Sequence, residues 1–442
     1  MKKIVVGSLL LLLVAGVGIP FVNGLAMEKI VKKSFANLNS MYADTGSGVS
    51  IEILRYDRHF SSTEIEWDIK LGPLKAIYGV DEITFVDRAE HGYTGIISKT
   101  SLEKNKWFTD FVSTKLAGKN PLDISTEYKL SGEIKSTITL AAFSLPVDGE
   151  VVAIKPGKAI FTWEEASKNF YSDTSWQGFS VADKMAVDGI SVSSNLEKIS
   201  TYLWDGTLSY GLKKGQINGD ANEQLQLVDF KGDYSLDIDK EENTVSVVAT
   251  FGFDALQTGL EKIDNGFVRL GVINMDAQGF EEFIKLYTEM ANTVLNDFAA
   301  AGDDPAKMKT ILRNQVSRTQ FQMLTAYERL LKTGLEFQIS DLHAKMPEGE
   351  VKGDVAVGLN KDMTFAQFIP LLQQPELLPE IFSLNSEIVL PADLVGDNPV
   401  FLSPMYPGMQ TGLFVKNGDT LTHKAETRDA KLYLNGQEVQ FH

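Results

Sequence analysis

EIEWDIKL, residues 64–71, decides the fold class, because its apolar residues alternate strictly with charged ones. A period of two is typical of a half-buried β-strand with one face in water. Similar stretches return along much of the chain, at residues 49–54, 83–86, 128–140, 151–163, 207–212, 225–238 and 244–253. The chain is therefore predicted to be mainly β.

Turn signals separate these stretches: Asp148-Gly149, Pro156-Gly157, Asp188-Gly189, Asp205-Gly206 and Asn218-Gly219. Such pairs favour tight hairpins. Since no long helical segment and no fixed repeat intervenes, the pattern predicts a large, curved antiparallel meander over residues 41–275, rather than βαβ units, a propeller or a solenoid. Strand patterns resume in a C-terminal β-rich part, residues 335–442, which we expect to belong to the same unit.

A long uncharged run follows the N-terminal Lys2 and Lys3 and extends over residues 4–22. Its length approaches the roughly 20 residues that span a bilayer. A positive tip before an apolar run predicts a secretory signal or signal anchor, here residues 1–26. Because the run exceeds the apolar region of most signal peptides, we favour a retained transmembrane helix. The alternative is cleavage near Ala26, where small residues offer a cleavage site.

Residues 27–40 are predicted to form an amphipathic juxtamembrane helix, with Ile30, Val31, Phe35 and Leu38 on one stripe. The positive-inside rule keeps Lys2 and Lys3 in the cytoplasm. The predicted location is therefore the bacterial inner membrane, crossed once, with the bulk of the chain in the periplasm. Cleavage near Ala26 would instead give a soluble periplasmic protein.

The strongest helical pattern covers residues 276–334, where two apolar stripes are separated by Gly302 and by Asp304-Pro305. Glycine commonly ends a helix, and an aspartate followed by proline commonly begins one. The pattern therefore predicts a helical hairpin, which makes the fold class α+β. We expect the stripes to pack on the sheet; the alternative is a lid or a membrane-surface element.

Composition and motifs exclude several functions. The formal net charge is −17, which disfavours nucleic acid as a partner. There are no cysteines, so disulfides, thiolate metal sites and cysteine nucleophiles are excluded. None of the five histidines lies three or four residues from another, and phosphate-binding and nucleophile-elbow motifs are missing. We therefore predict no catalytic, metal-binding or cofactor-binding residues and no cofactor, and expect a non-enzymatic protein.

Residues 56–62, YDRHFSS, resemble a motif of the YdgA-like family, envelope proteins of Gram-negative bacteria whose function is unknown. The matching residues are Tyr56, Arg58, Phe60, Ser61 and Ser62. His59 stands where the family usually has glycine. The resemblance extends to the anchor, the meander and the late helical pair. It implies attachment to the inner membrane with the bulk in the periplasm, and it implies no catalytic residue.

A functional hypothesis follows from the aromatic residues, near 10% of the chain, many of them on the buried side of predicted strands. A curved sheet with that lining is able to enclose an apolar groove, although the aromatic residues alone favour an ordinary sandwich core. AsmA-like envelope proteins, an architectural analogy, combine one anchor with a grooved sheet and handle lipids. The expected partners are the membrane and a lipid or other amphiphile bound in the groove. The rival hypothesis is a scaffold that forms homo-oligomers or binds other envelope proteins.

Overall fold

The computed structural model describes residues 22–40, 42–43, 46–129, 131–147, 149–219, 224–259, 261–301, 307, 310–311, 313, 323–371, 374–396 and 412–440. Over these ranges the chain is mainly β, with one large antiparallel sheet that is not closed and a few helices. The predicted fold class is confirmed at this level. Most of the predicted anchor, residues 1–26, lies outside the described ranges. No helix within them is both long enough and apolar enough to cross a bilayer.

The strands up to residue 198 are β1 Ser50–Arg58, β2 Ser62–Lys70, β3 Glu82–His91, β4 Gly95–Ser101, β5 Leu122–Lys129, β6 Glu133–Leu140, β7 Phe143–Val147, β8 Glu150–Ile154, β9 Gly157–Glu164, β10 Asn169–Val181 and β11 Met185–Lys198. The later strands are β12 Trp204–Ile217, β13 Leu225–Asp239, β14 Thr244–Thr258, β15 Glu261–Asp276, β16 Glu336–Met346, β17 Gly349–Leu359, β18 Phe382–Pro391, β19 Val415–Asn417, β20 Thr420–Arg428, β21 Lys431–Leu434 and β22 Gln437–Glu438.

The helices are residues 22–40 (α1), Lys75–Tyr78 (α2), Lys106–Lys115 (α3), Ala277–Ala301 (α4), residues 323–330 (α5), Phe365–Leu371 (α6), Leu378–Ile381 (α7) and Asp393–Gly396 (α8). Two short 3-10 turns, Gly72–Leu74 and Pro375–Leu377, precede α2 and α7. Helices α4 and α5 lie in the segment predicted to be a helical hairpin. The predicted turn at Gly302 and Pro305 lies outside the described ranges.

Consecutive strands pair in meander order over β1–β6 and again over β12–β18. The order is broken where β6 pairs with β9, because β7 and β8 form a hairpin between them in the sequence, and β8 pairs with β10. The chain divides into two compact units. Unit 1 comprises Met1–Gln177, Ser194–Leu203 and Lys285–Gln320, and unit 2 comprises Gly178–Ser193, Trp204–Ile284 and Phe321–His442.

Helix α1 supplies part of the core of unit 1. Met27 and Val31 are 1% and 2% exposed and pack against Ile65, Ala89 and Ile96 of the first strands. Within the octapeptide at 64–71, Ile65 and Trp67 point to this core as the alternation predicts, but Asp68, expected on the solvent face, is only 4% exposed. The ring of Trp67 stacks on Phe85 at 4.4 Å and lies 5.1 Å from Phe35 of α1.

Polar contacts hold α1 along its length. Near its start, the Asn23 side-chain amide donates to the carbonyl oxygen of Gly92 at 2.6 Å. Near its end, the Asn39 side chain both donates to and accepts from the backbone of Ile51 at 2.7 Å. Between them, Lys33 pairs with Glu165 at 2.7 Å. The helix is therefore part of the folded unit from residue 23 onward.

A carboxylate is buried in the same unit. Asp87 accepts a hydrogen bond from Trp67 Nε1 at 2.6 Å, and the hydroxyls of Ser98 and Thr100 also donate to it. Burial raises the pKa of the Asp87 carboxyl above its usual value, although these hydrogen bonds act in the opposite direction. Folding therefore favours the protonated form of this side chain.

We expect Met27→Ala to lower the free energy of unfolding by about 2–5 kcal/mol, the usual cost of truncating a buried methionine. Leu25→Ala, two residues away on the same helix but exposed, should change it by no more than about 0.5 kcal/mol. Urea unfolding of the purified full-length chain measures both. Equal effects of the two substitutions would contradict the packing of α1.

The Asp87 titration predicts a pH dependence of stability. Since the folded-state pKa is raised, the stabilising contribution is complete below the ordinary aspartate pKa, about 3.9, and is lost as the pH rises through the folded-state pKa. Asp87→Asn removes this titration, so its melting temperature should improve relative to the unmodified chain as the pH rises from acidic toward neutral. The exposed Asp123→Asn is the control. A difference between Asp87→Asn and the unmodified chain that stays constant with pH would contradict the assignment.

Candidate functional site

The sheet of unit 2 has one apolar and one polar face over β12–β18. Cross-strand pairing aligns Leu208, Tyr234, Ala249, Leu270 and Ile339 in one row across five strands. The next row on the same face contains Leu236, Val247, Val272, Phe337, Val357 and Leu384. A row on the opposite face contains Ser209, Asp233, Thr250, Arg269 and Ser340. The apolar rows form a continuous surface that we call the apolar face.

Much of this apolar face is accessible to solvent. Leu208, Tyr234, Leu270, Phe337 and Ile339 are all exposed. The aromatic rings on the face contact one another, with Tyr234 lying 6.1 Å from Tyr210 and 5.9 Å from Phe251. Large exposed apolar surfaces usually mark binding sites for a ligand, a membrane or a protein.

Helical segments cover one end of the apolar face and bound a partly open cavity of about 360 Å³. All its lining residues are aliphatic, sulfur-containing or aromatic, and all belong to unit 2. They are Val272 and Met275 of β15, Phe280 and Phe283 of α4, Tyr327 and Leu330 of α5, Leu331 and Leu335 after it, Phe337 of β16, Leu359 of β17, Met363, Phe365 of α6 and Phe382 of β18.

Local sequence explains how α4 and α5 come to lie over the sheet. The Asp276 carboxylate accepts a hydrogen bond from the backbone N–H of Gly279 at 2.7 Å, which caps the start of α4. A Cβ at Gly279 would lie 3.2 Å from Cβ of Arg329, so glycine lets the two helices approach closely. One turn later, the rings of Phe283 and Tyr327 pack at 5.2 Å.

Ion pairs adjoin the cavity, between residues that neighbour its lining in sequence. Arg329 pairs with Glu282, and Lys332 with Asp362 at 3.2 Å. The backbone N–H and the hydroxyl of Thr333 donate to the Asp362 carboxylate at 2.8 and 2.9 Å. These hydrogen bonds, together with Lys332, hold the pKa of Asp362 below its usual value. All four charged side chains are exposed, so an apolar interior lies beside a charged, exposed rim.

The residues singled out by sequence lie elsewhere, in unit 1, and two of the five, Tyr56 and Arg58, contact α1. Tyr56 packs on the core with the Lys32 ammonium 5.6 Å from its ring, and burial raises its pKa to about 12. Arg58 lies 3.5 Å from Glu28 of α1. In the turn that follows, the backbone carbonyl of Ser61 accepts a hydrogen bond from the N–H of His91 at 2.9 Å. The carbonyl of Ser62 accepts one from the N–H of His59 at 2.8 Å. The side chain of Phe60 is exposed.

The cavity residues were not identified from sequence, because they come from segments far apart in the chain. The available signal was the alternation itself: Phe337 is an apolar position of β16 between two polar residues, whereas on β15 the residue after Val272 is Ile273, so the alternation is interrupted there. A shallow polar depression also lies in unit 2, with Asp229, Asp233 and His343 among its residues. Across the described part of the chain, no cluster of three or more histidine, aspartate or glutamate side chains has the arrangement to hold a metal ion.

The fold and the cavity define a mainly β protein whose sheet carries an apolar cavity beneath helices. The chain belongs to a family described as bacterial protein of unknown function (DUF945), whose model matches residues 1–442. No curated protein and no solved structure matches the chain significantly. The family description assigns no activity.

Phe283 tests whether the α4 stripe is held against α5. We expect Phe283→Ser to lower the melting temperature of the full-length chain by several degrees, because burying such a side chain contributes about 1.5–3 kcal/mol. Lys285→Ser, two residues further along α4 and exposed, is the control and should have little effect. An unchanged melting temperature for Phe283→Ser would mean that the stripe is a mobile surface element instead.

Proposed function

We propose that this chain binds an apolar or amphipathic ligand, with an acyl chain of a lipid as the best fit, in the cavity and on the apolar face of unit 2. The observation that carries the proposal is a cavity of about 360 Å³ with no polar residue type other than the tyrosine Tyr327 in its lining. An engineered apolar cavity of roughly 150 Å³ stays dry and binds benzene. The larger cavity suits a longer apolar group.

The surroundings of the cavity support an amphipathic ligand rather than a pure hydrocarbon. Burying a charged group without a partner is costly, so a polar head has no place in the interior. The adjoining Arg329 and Lys332 side chains are exposed and carry positive charge beside the carboxylates of Glu282 and Asp362. A head group would therefore remain hydrated at this rim while the tail occupies the cavity.

The membrane context is part of the same proposal. The uncharged run at residues 4–22 serves as a retained inner-membrane anchor, with the bulk of the chain in the periplasm, as the YdgA-like resemblance implies. Retention is supported by α1, since cleavage near Ala26 would remove Asn23, whose amide binds Gly92, from the folded unit. The protein would act by binding and not by catalysis.

A self-assembling or protein-binding scaffold is the second candidate. The exposed row from Leu208 to Ile339 favours it, because a second copy could cover that surface without entering the cavity. The two functions therefore differ in which part of unit 2 is occupied.

Val272 provides a test specific to the cavity. The full-length chain in lipid vesicles is supplied with a photoactivatable fatty acid, and the cross-linked peptides are mapped. We expect cross-links at residues 280–283 and 359–365. Val272→Phe adds a ring to the wall of the cavity and narrows it, so the number of cross-links should fall about tenfold, a loss of some 1.4 kcal/mol of binding. Val247→Phe makes the same change at the paired position on β14, outside the cavity lining, and should keep them.

Two results would count against ligand binding. Cross-links confined to the anchor in every variant would show only contact with surrounding lipid. Cross-links between copies through Leu270 and Ile339, with none from the fatty acid in the cavity, would favour the scaffold. The melting temperature of both variants shows whether the substitutions leave the fold intact.

A further inference from the structure

We propose that unit 1 is seated directly on the lipid surface by a membrane-contact patch formed by Val22, Leu25, Phe60 and Tyr93. The inference rests on the proposed membrane attachment, and it adds a fixed orientation for unit 1 at the bilayer. It does not depend on ligand binding in unit 2.

The first step is that no flexible linker separates α1 from unit 1. Residues 22–40 are one helix, and its contacts with the strands begin at once. Asn23 binds the carbonyl of Gly92 at 2.6 Å, and a Cβ at Gly24 would lie only 2.3 Å from Cε1 of His91. Met27 and Val31 then enter the core. The position of the chain at residue 22 is therefore fixed relative to unit 1.

The second step is that two exposed aromatic side chains lie at this end of the helix. Tyr93 follows Gly92, the residue bound by Asn23, and is 61% exposed. The N–H of His91 donates to the carbonyl of Ser61 at 2.9 Å, which brings in the neighbouring Phe60, 51% exposed. On α1 itself, Val22 is 58% and Leu25 44% exposed.

The third step identifies the occupant of the patch as lipid. The uncharged run at residues 4–22 reaches the patch at Val22, and the first charged residue after it is Glu28, which pairs with Lys32 and approaches Arg58. Polarity therefore changes along the helix axis within about one and a half turns. Tyrosine and other aromatic residues favour this boundary, with the ring among acyl chains and the polar end in the head groups. A protein partner would not explain why the patch surrounds the end of the apolar run.

The absence of cysteine from the sequence makes single-site labelling direct. Phe60→Cys and Tyr93→Cys in the full-length chain are labelled with an environment-sensitive nitrobenzoxadiazole fluorophore and reconstituted into lipid vesicles. Tyr78→Cys is the matched control, because Tyr78 is 64% exposed and lies after the C-terminal end of β2. The two ends of β2 are roughly 27 Å apart along the strand, and Phe60 lies next to the other end. Vesicles carrying lipids with a shallow nitroxide quencher then report contact with the bilayer surface.

We expect the labels at positions 60 and 93 to emit at shorter wavelength and to be quenched by the shallow nitroxide, while the label at 78 behaves as in water. If the protein floats with the vesicles but the labels at 60 and 93 show the same emission and quenching as the label at 78, the patch is overturned and the anchor is left intact. Protein that does not float with the vesicles would overturn the attachment and the patch together. Quenching of all three labels alike would also overturn the fixed orientation.

Discussion

A β-strand sends successive side chains to opposite faces of its sheet, and in unit 2 the sequence uses that constraint to separate apolar from polar residues over β12–β18. Antiparallel pairing carries the separation across strands, because residues that face each other share a face. Leu208, Tyr234 and Leu270 therefore belong to one row although more than 60 residues of chain connect the first to the last. The apolar face and its cavity both depend on this register.

One irregularity shows how closely the register is maintained. On β16, Leu342 comes three residues after Ile339, whereas on β17 their partners Gly353 and Val355 are only two residues apart. The extra residue forms a bulge at which Asp341 adopts a left-handed conformation, with φ of 52°, and its N–H bonds to the Asp354 carboxylate at 3.0 Å. The bulge keeps Leu342 on the same face as Ile339.

Sequence predicted the strands more completely than it predicted their partners. The alternation in EIEWDIKL is local, so Ile65 and Trp67 could be assigned to one buried face before any contact was known. The stripe on α1 was also visible, but not whether it would contact lipid or protein; Met27 lies in the core and was not assigned to the stripe. An apolar groove was hypothesised from the aromatic residues, but the residues that line the cavity could not be predicted, because the lining requires segments around residues 272, 283, 327, 359 and 382 to converge. Convergence of that kind depends on long-range register and helix placement, which no short pattern encodes.

In each unit, helices pack on the apolar side of β-strands, but the fraction of that apolar side that they cover differs. In unit 1, α1 places Met27 and Val31 on the apolar side of the first strands, and the side chains beneath it are buried. In unit 2, the helices lie over one end of the apolar face, and Phe337, although it lines the cavity, is 52% exposed. A surface of this kind gains free energy from any apolar group that displaces water, without regard to that group's chemistry. Under the proposed function, selection among amphiphiles would therefore follow the length and shape of the tail, whereas the hydrated and already paired charges at the rim would discriminate little between heads.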